Sequence, residues 1–309
     1  MTDEVAPSGG GSPAQWYLEH LTDVDVALLA RATGAAAQGS RPEGAAGMAS
    51  LRRRPDRLDS LLGRREVFDA VFSPETEPLL GPSPFLVFAV AIHRAAAELA
   101  GASFVEEWLG PKQRVAVFDV ERLRDFLADP LHRLFLVELL ASFTHVASGS
   151  VLVRTRRGWR RQRFSELDPV RLASMLEVVP EAERPGIYRR LGDLCLFLTG
   201  VFPDHTAGRP LTTIGTARLL RAARLTEQPQ ATPDEVPSAV ANPGLVSLLE
   251  QLGQRWYHLA ASSVPVVSGT MRVVHDMATE FRQARRALNV VTDRFLFPER
   301  DRWFPAPGG

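Results

Sequence analysis

Six arginines fall within ten residues, at Arg154, Arg156, Arg157, Arg160, Arg161 and Arg163, and no acidic residue stands between Ser142 and Ser165. Guanidinium forks match phosphate and carboxylate oxygens in bidentate pairs, and Trp159 and Phe164 add flat faces on which a base can stack. The chemistry that suits this pattern is the binding of a polyanion, either nucleic acid or an acidic protein surface. The same arginines would also serve as a solvated face, or pair with Glu166, Asp168, Glu181 and Glu183, as runs of charge usually do.

A second constellation could do acid–base work. Glu138, Ser142 and His145 recur at i, i+4 and i+7, which on a helix places them along one face of an otherwise apolar segment. Asp193 lies in the apolar run YRRLGDLCLFL, where pairing with Arg189 or Arg190 is the simplest expectation. A small-molecule enzyme would line its pocket with Glu138, His145 and Asp193, among helices 84–100, 131–146 and 185–201. The strip lacks the paired Glu-x-x-His helices of di-iron bundles and the His-Glu-x-x-His of zinc proteases. The single cysteine, Cys195, sits in an apolar stripe and reads as a core residue, and GPKQRV lacks the Gly-Lys-Ser/Thr ending of a phosphate loop. Asp204-His205 and His275-Asp276 are adjacent pairs of a kind that chance produces readily. No catalytic residue, metal or cofactor is expected.

These groups need elements to position them. SVLVRT and WRRQRF alternate apolar residues with arginines on either side of a turn at Arg157-Gly158, which predicts a β-hairpin over 150–164. Ser83-Pro84, Asp129-Pro130 and Asp168-Pro169 each place a capping oxygen before a proline whose missing N–H costs nothing there, so helices should start at all three. Leu131 to Val146 is apolar nearly all round and predicts a buried helix. Between the first two starts, Val115, Val117 and Phe118 predict a short strand, and Asp119 should cap a helix reaching Ala128. Gln15–Thr33 predicts one helix, Arg57–Phe72 a short helix or a pair broken at Gly63, and Pro185 opens another that stops at Pro203. Leu245–Leu259 and Val267–Phe295 carry the stripes of two long helices, an antiparallel pair to be docked on what precedes it.

The order helix, strand, helix, helix, hairpin across 84–164 resembles a winged helix-turn-helix, with the hairpin as wing and helix 131–146 as groove reader. That helix offers only Glu138, Ser142 and His145 as its polar strip, whereas a groove reader needs exposed Arg, Lys, Asn or Gln.

Thirty-six basic residues balance thirty-six acidic ones, so attraction to a polyanion must come from local clustering. All the basic residues but Lys112 are arginine, a usage that with the abundance of Ala, Gly and Pro suggests a high-GC genome. One cysteine excludes an intramolecular disulfide framework and fits a reducing compartment. The opening MTDEVAPSGGGSP lacks the basic start and apolar stretch of a secretory leader, and the run Phe85–Ile92 is closed by His93, Arg94 and Glu98, short of a membrane span. A cytoplasmic protein without membrane attachment is expected. LVELLASFTHVASGSVLVRTRRGW, ending at Trp159, and ERPGIYRRLGDLCLFLTGVFPDH, 183–205, resemble stretches in a group of actinobacterial proteins to which no activity is assigned. The resemblance implies a bacterial cytoplasmic origin and transfers no site residue.

The resulting expectation is a mainly α fold: a disordered tail over 1–13, a helical core domain over 14–225 with one small antiparallel hairpin, a linker over 226–243, a C-terminal helical hairpin over 244–297 and a tail over 298–309. Functionally, the arginine cluster favours a non-catalytic regulatory or adaptor protein over the pocket-bearing enzyme.

Overall fold

In the computed structural model the described residues are 13–32, 56–72, 81–145, 148–155, 158–208, 211–225, 244–262 and 269–297. The fold is mainly helical. The predicted tails, the Gly- and Ala-rich stretch after Thr33 and the linker over 226–243 lie outside those residues. The chain divides into two compact units between Glu98 and Leu99.

The first unit holds α1 (Pro13–His20), α2 (Asp23–Ala32), α3 (Asp56–Leu62), α4 (Arg65–Phe72) and most of α5 (Pro84–Leu99). The single helix expected over 15–33 is two, because Thr22 starts a new one. Its Oγ1 accepts from the Asp25 N–H (3.2 Å) while Asp25 Oδ2 accepts from the Thr22 N–H (2.8 Å), a reciprocal cap that uses Asp where Glu is usual. The other Asp25 oxygen accepts from the Ser83 N–H at 2.7 Å, and Ser83 Oγ in turn accepts from Leu86 N, so two helix starts share one buried carboxylate. The α3–α4 pair breaks at Gly63 as expected. Leu86 to Ile92 are fully buried, and His93 on the same helix meets Asp59 of α3 at 2.9 Å.

The second unit begins with a hairpin where one strand was expected. β1 (Val105–Gly110) pairs antiparallel with β2 (Gln113–Val117) through the two-residue Pro111-Lys112 turn. Lys112 has φ 58°, so proline is followed by a left-handed residue where a type II turn normally takes glycine. β1 escaped notice because VEEWLG carries two acids, and Phe118 lies beyond the strand, 74% exposed. α6 (Glu121–Ala128) and α7 (Pro130–Ser142) follow, then β3 (Ser148–Thr155) and β4 (Gly158–Ser165), α8 (Pro169–Ala173) and α9 (Arg184–Val201). Asp129 Oδ1 accepts from Leu131 N (2.7 Å) and Asp168 Oδ1 from Val170 N and Arg171 N, as the Asp-Pro signals required. Asp119 does not cap α6. Its carbonyl oxygen accepts from Arg286 Nη2 at 2.7 Å instead.

The chain ends its described course with α10 (Pro203–Ala207), α11 (Thr213–Ala222), α12 (Leu245–Ser262), α13 (Gly269–Thr279), α14 (Phe281–Val291) and a π-helical turn over Thr292–Leu296. The second long C-terminal helix is thus split at Glu280, whose backbone leaves the helical region. α9 lies against α12 and α14, and α6 and β1 pack on α14. Glycines set the closeness: a Cβ at Gly200 would stand 2.7 Å from Leu288 Cβ, and one at Gly253 would collide with the Phe281 ring.

α14 is buried at every position except Arg282, yet its sequence is FRQARRALNVV. Arg286, 3% exposed, ion-pairs with Glu107 of β1 and donates to Gln283 Oε1 as well as to the Asp119 carbonyl. Arg285 Nε stands 3.0 Å from Glu250 Oε2 of α12. Asn289 Nδ2 donates to the carbonyls of Gly200 (2.7 Å) and Thr199 (3.3 Å), which α9 leaves unpaired in its last turn. At the turn of the β1–β2 hairpin, Asp204 Oδ1 accepts from Trp108 Nε1 (2.7 Å) and Lys112 N (3.0 Å), while Arg114 bridges Asp204 and Asp293 of the π turn. Desolvation alone would raise the Asp204 carboxyl, but the bonds from Trp108 and Lys112 and the Arg114 charge hold it below its ordinary value of 3.8.

Two outcomes follow. Arg286→Leu leaves Glu107 buried without its cation and should cost about 3–5 kcal/mol in urea unfolding, whereas the double replacement with Glu107→Leu should recover most of that loss. Because the folded Asp204 carboxyl is depressed, its stabilisation is present at neutral pH and lost as pH falls through the folded value. Asp204→Asn should therefore lower stability at pH 7 by about 1 kcal/mol after allowance for solvent screening. Melting temperatures recorded from pH 7 downward should show the gap to the unaltered protein closing below pH 3.8.

Candidate functional site

The β3–β4 ribbon carries the arginine cluster. Its register pairs Ser150 with Arg163, Leu152 with Arg161, Arg154 with Trp159, and Thr155 with Gly158. Gly158 thus belongs to β4, not to the turn read from the sequence at Arg157-Gly158. Arg156 and Arg157 lie outside the described residues. Strand alternation places Arg154, Trp159, Arg161 and Arg163 on one face together with Ser150 and Leu152. Arg160 and Gln162 fall on the other, with Val151, Val153 and Phe164. Three of the predicted arginines and the predicted tryptophan thus share a face.

One residue outside the cluster links the elements on either side of the ribbon. Arg190 of α9 donates from Nη1 to Ser142 Oγ (2.8 Å), at the end of α7, and from Nη2 to Glu166 Oε2 (3.1 Å), next after β4. Its guanidinium also lies 4.0 Å from the centre of the Phe143 ring, which stacks on Phe197 of α9 at 4.2 Å. Sequence reasoning offered Arg189 or Arg190 as the partner of Asp193; the useful signal was an arginine one helix away from two polar residues on either side of a hairpin. Asp168, the other carboxylate next to β4, caps α8 and meets Arg171 at 3.2 Å. Beyond its own partner strand, β4 lies against α8.

The alternative constellation does not form as drawn. α7 ends at Ser142, so His145 is not on the helix; it is exposed and shares a 3.1 Å hydrogen bond with Thr144 Oγ1. The physical reason is local: the Ser142 and Thr144 hydroxyls donate to the Leu139 and Ala141 carbonyls, which diverts the last turn. Glu138 is half-buried on α7. Asp193 accepts from the Tyr257 hydroxyl of α12 at 2.9 Å. Burial pushes its carboxyl up, against the Arg189 charge, the Tyr257 bond and the Arg190 charge. Burial and the Asp193 charge push the Tyr257 phenol well up, so it stays a donor. The pair is a helix-to-helix tie. α7 itself buries His132, Arg133 and every residue from Leu134 to Val137, and what it leaves even partly exposed, Pro130, Leu131, Glu138, Ala141 and Ser142, includes no basic or amide side chain to read a DNA groove. Cys195 is buried, and desolvation raises its thiol.

Asp204 and Asp276, both passed over as chance pairs, are contact centres. Asp276 of α13 stands 3.6 Å from His132 of α7 and 3.7 Å from Arg272. Among the described residues no group of three His, Cys, Asp or Glu side chains could hold a metal ion, and no helix is long and apolar enough to cross a membrane. No family model matches the chain, and no curated protein or solved structure is significantly similar to it.

Arg190→Ala should release the roots without disturbing the helical core. Amide exchange across 148–155 and 158–165 should accelerate by about tenfold, with a global loss of only about 1–2 kcal/mol. Unchanged protection of the ribbon would contradict the clamp.

Proposed function

We propose that this chain is a non-catalytic regulatory or adaptor protein that engages a polyanion, nucleic acid or an acidic protein surface, through the β3–β4 ribbon. The observation that carries the reading is the register, which gathers Arg154, Arg161 and Arg163 with Trp159 on one face of a ribbon in a segment without acidic residues. Guanidinium groups spaced along a strand meet successive anionic groups in bidentate pairs, and the zero formal net charge leaves no long-range field to compete with the local one. The carboxylates flanking β4 support the reading further, since Glu166 pairs with Arg190 and Asp168 is committed to the start of α8. Cytoplasmic residence is part of the proposal, in line with the lone cysteine and its buried, unreactive setting.

The test is retention of the full chain on heparin at low salt. The unaltered protein should be retained and elute as salt rises, and a variant with Arg154, Arg160, Arg161 and Arg163 all replaced by alanine should pass through with a melting temperature changed by no more than a few degrees. Equal retention of the variant would overturn the reading.

A further inference from the structure

We infer that the ligand of the ribbon is a single-stranded nucleic acid laid along β4, its phosphates against Arg161 and Arg163 and one base stacked at Trp159. This rests on the polyanion reading above and narrows it. Arg161 and Arg163 are two positions apart on β4, and alternation puts them on the same face about 6.6–6.8 Å from one another along the strand. That interval is within reach of neighbouring phosphates on an extended strand. Trp159 follows at the next position of the same row, and Arg154 is its direct cross-strand partner. The row therefore reads aromatic, cation, cation, with a further cation beside the aromatic residue.

The order of that row distinguishes the possible polyanions. A duplex presents phosphates on its outside but keeps its base faces stacked, so an aromatic ring among the cations gains nothing from it unless a base is extruded. An acidic protein surface presents carboxylates and again no exposed aromatic planes. A single strand presents both groups in alternation, phosphate and unstacked base, and binding modules for it combine a cationic track with aromatic platforms. Ser150 and Leu152 lie on the same face on β3 and bring no acid to it.

Fluorescence anisotropy of the full chain would test this with three labelled probes: a 15-nucleotide oligothymidylate, a mixed-sequence duplex of the same length and a polyglutamate peptide. The oligothymidylate should bind most tightly, and its log–log salt slope should flatten by about 0.7 for each of Arg161→Ala and Arg163→Ala. Trp159→Leu should weaken it by roughly tenfold or more while Trp159→Phe retains most of the affinity, since stacking tolerates either ring. Duplex affinity should be indifferent to both Trp159 variants. Heparin retention of Trp159→Leu and amide exchange over β3 and β4 show whether the ribbon is intact in that variant. Should Trp159→Leu open the ribbon, Arg161→Ala and Arg163→Ala decide the matter alone, and unchanged salt slopes would overturn the inference. Equal affinity for duplex and oligothymidylate, or preference for polyglutamate, would also overturn it and leave the polyanion reading standing. Failure to bind all three probes and heparin would remove both.

Discussion

The second unit is organised by the burial of two adjacent arginines on α14. A guanidinium cannot be deprotonated at any accessible pH, so moving Arg285 and Arg286 into the interior forces a carboxylate to each. Glu250 comes from α12 and Glu107 from β1, and this matching fixes which elements can surround α14. Apolar packing alone would not choose between neighbours of similar shape. Leu288 against Gly200 and Phe281 against Gly253 determine how closely the helices approach, whereas the ion pairs determine which ones they are. The β1–β2 hairpin is held the same way: Glu107 secures its body to α14, and Asp204 and Asp293 secure its turn.

Arginine is suited to this work in a way lysine is not, because its planar fork can serve several acceptors at once. Arg133 Nη1 reaches the carbonyls of Leu127 and Ala128 at the end of α6, Arg124 reaches those of Leu99 and Ala102, and Arg255 donates to Ala223 at the end of α11. Arg190 belongs to this set, with a hydroxyl, a carboxylate and an aromatic ring around one guanidinium. A compositional bias toward arginine thus supplies helix caps and interior anchors as well as the ribbon.

What the sequence discloses and what it hides divide along the range of the interactions concerned. The three proline-marked helix starts, the break at Gly63, the β3–β4 hairpin and the apolar character of α5 and α7 are local consequences of residue type and spacing, and each is found in place. The split of α1 from α2 is local too, but its cap uses Asp25 rather than glutamate, and the pattern is easily passed over. β1 was hidden because its buried acid faces a partner 179 residues later, Glu107 meeting Arg286, and no window of sequence contains both. His145 was misplaced because an apolar period continues past Ser142 while two hydroxyls end the helix. The candidate site repeats the contrast: the cationic cluster was visible in a ten-residue window, but the gathering of Arg154, Arg161 and Arg163 on one face needed the register, and the contacts of Arg190 on either side of the ribbon needed the fold.

The interior and the ribbon therefore use one side chain under opposite conditions. On α14 the two buried arginines, Arg285 and Arg286, each have a carboxylate at ion-pair distance, and their field is cancelled within a few ångströms. On β3 and β4 the arginines lie in a run of residues that contains no acid at all, while the molecule as a whole is neutral. Charge so arranged acts only at short range, because beyond a Debye length of about 10 Å at 0.1 M salt the ribbon is screened and the remaining surface contributes no net attraction. A ligand must then be recognised by direct contact rather than by steering, which favours partners whose charges repeat at the spacing of the ribbon. The antiparallel register keeps that spacing fixed, and Arg190, by holding Ser142 and Glu166 together, ties the helix before the ribbon to the residue that follows it.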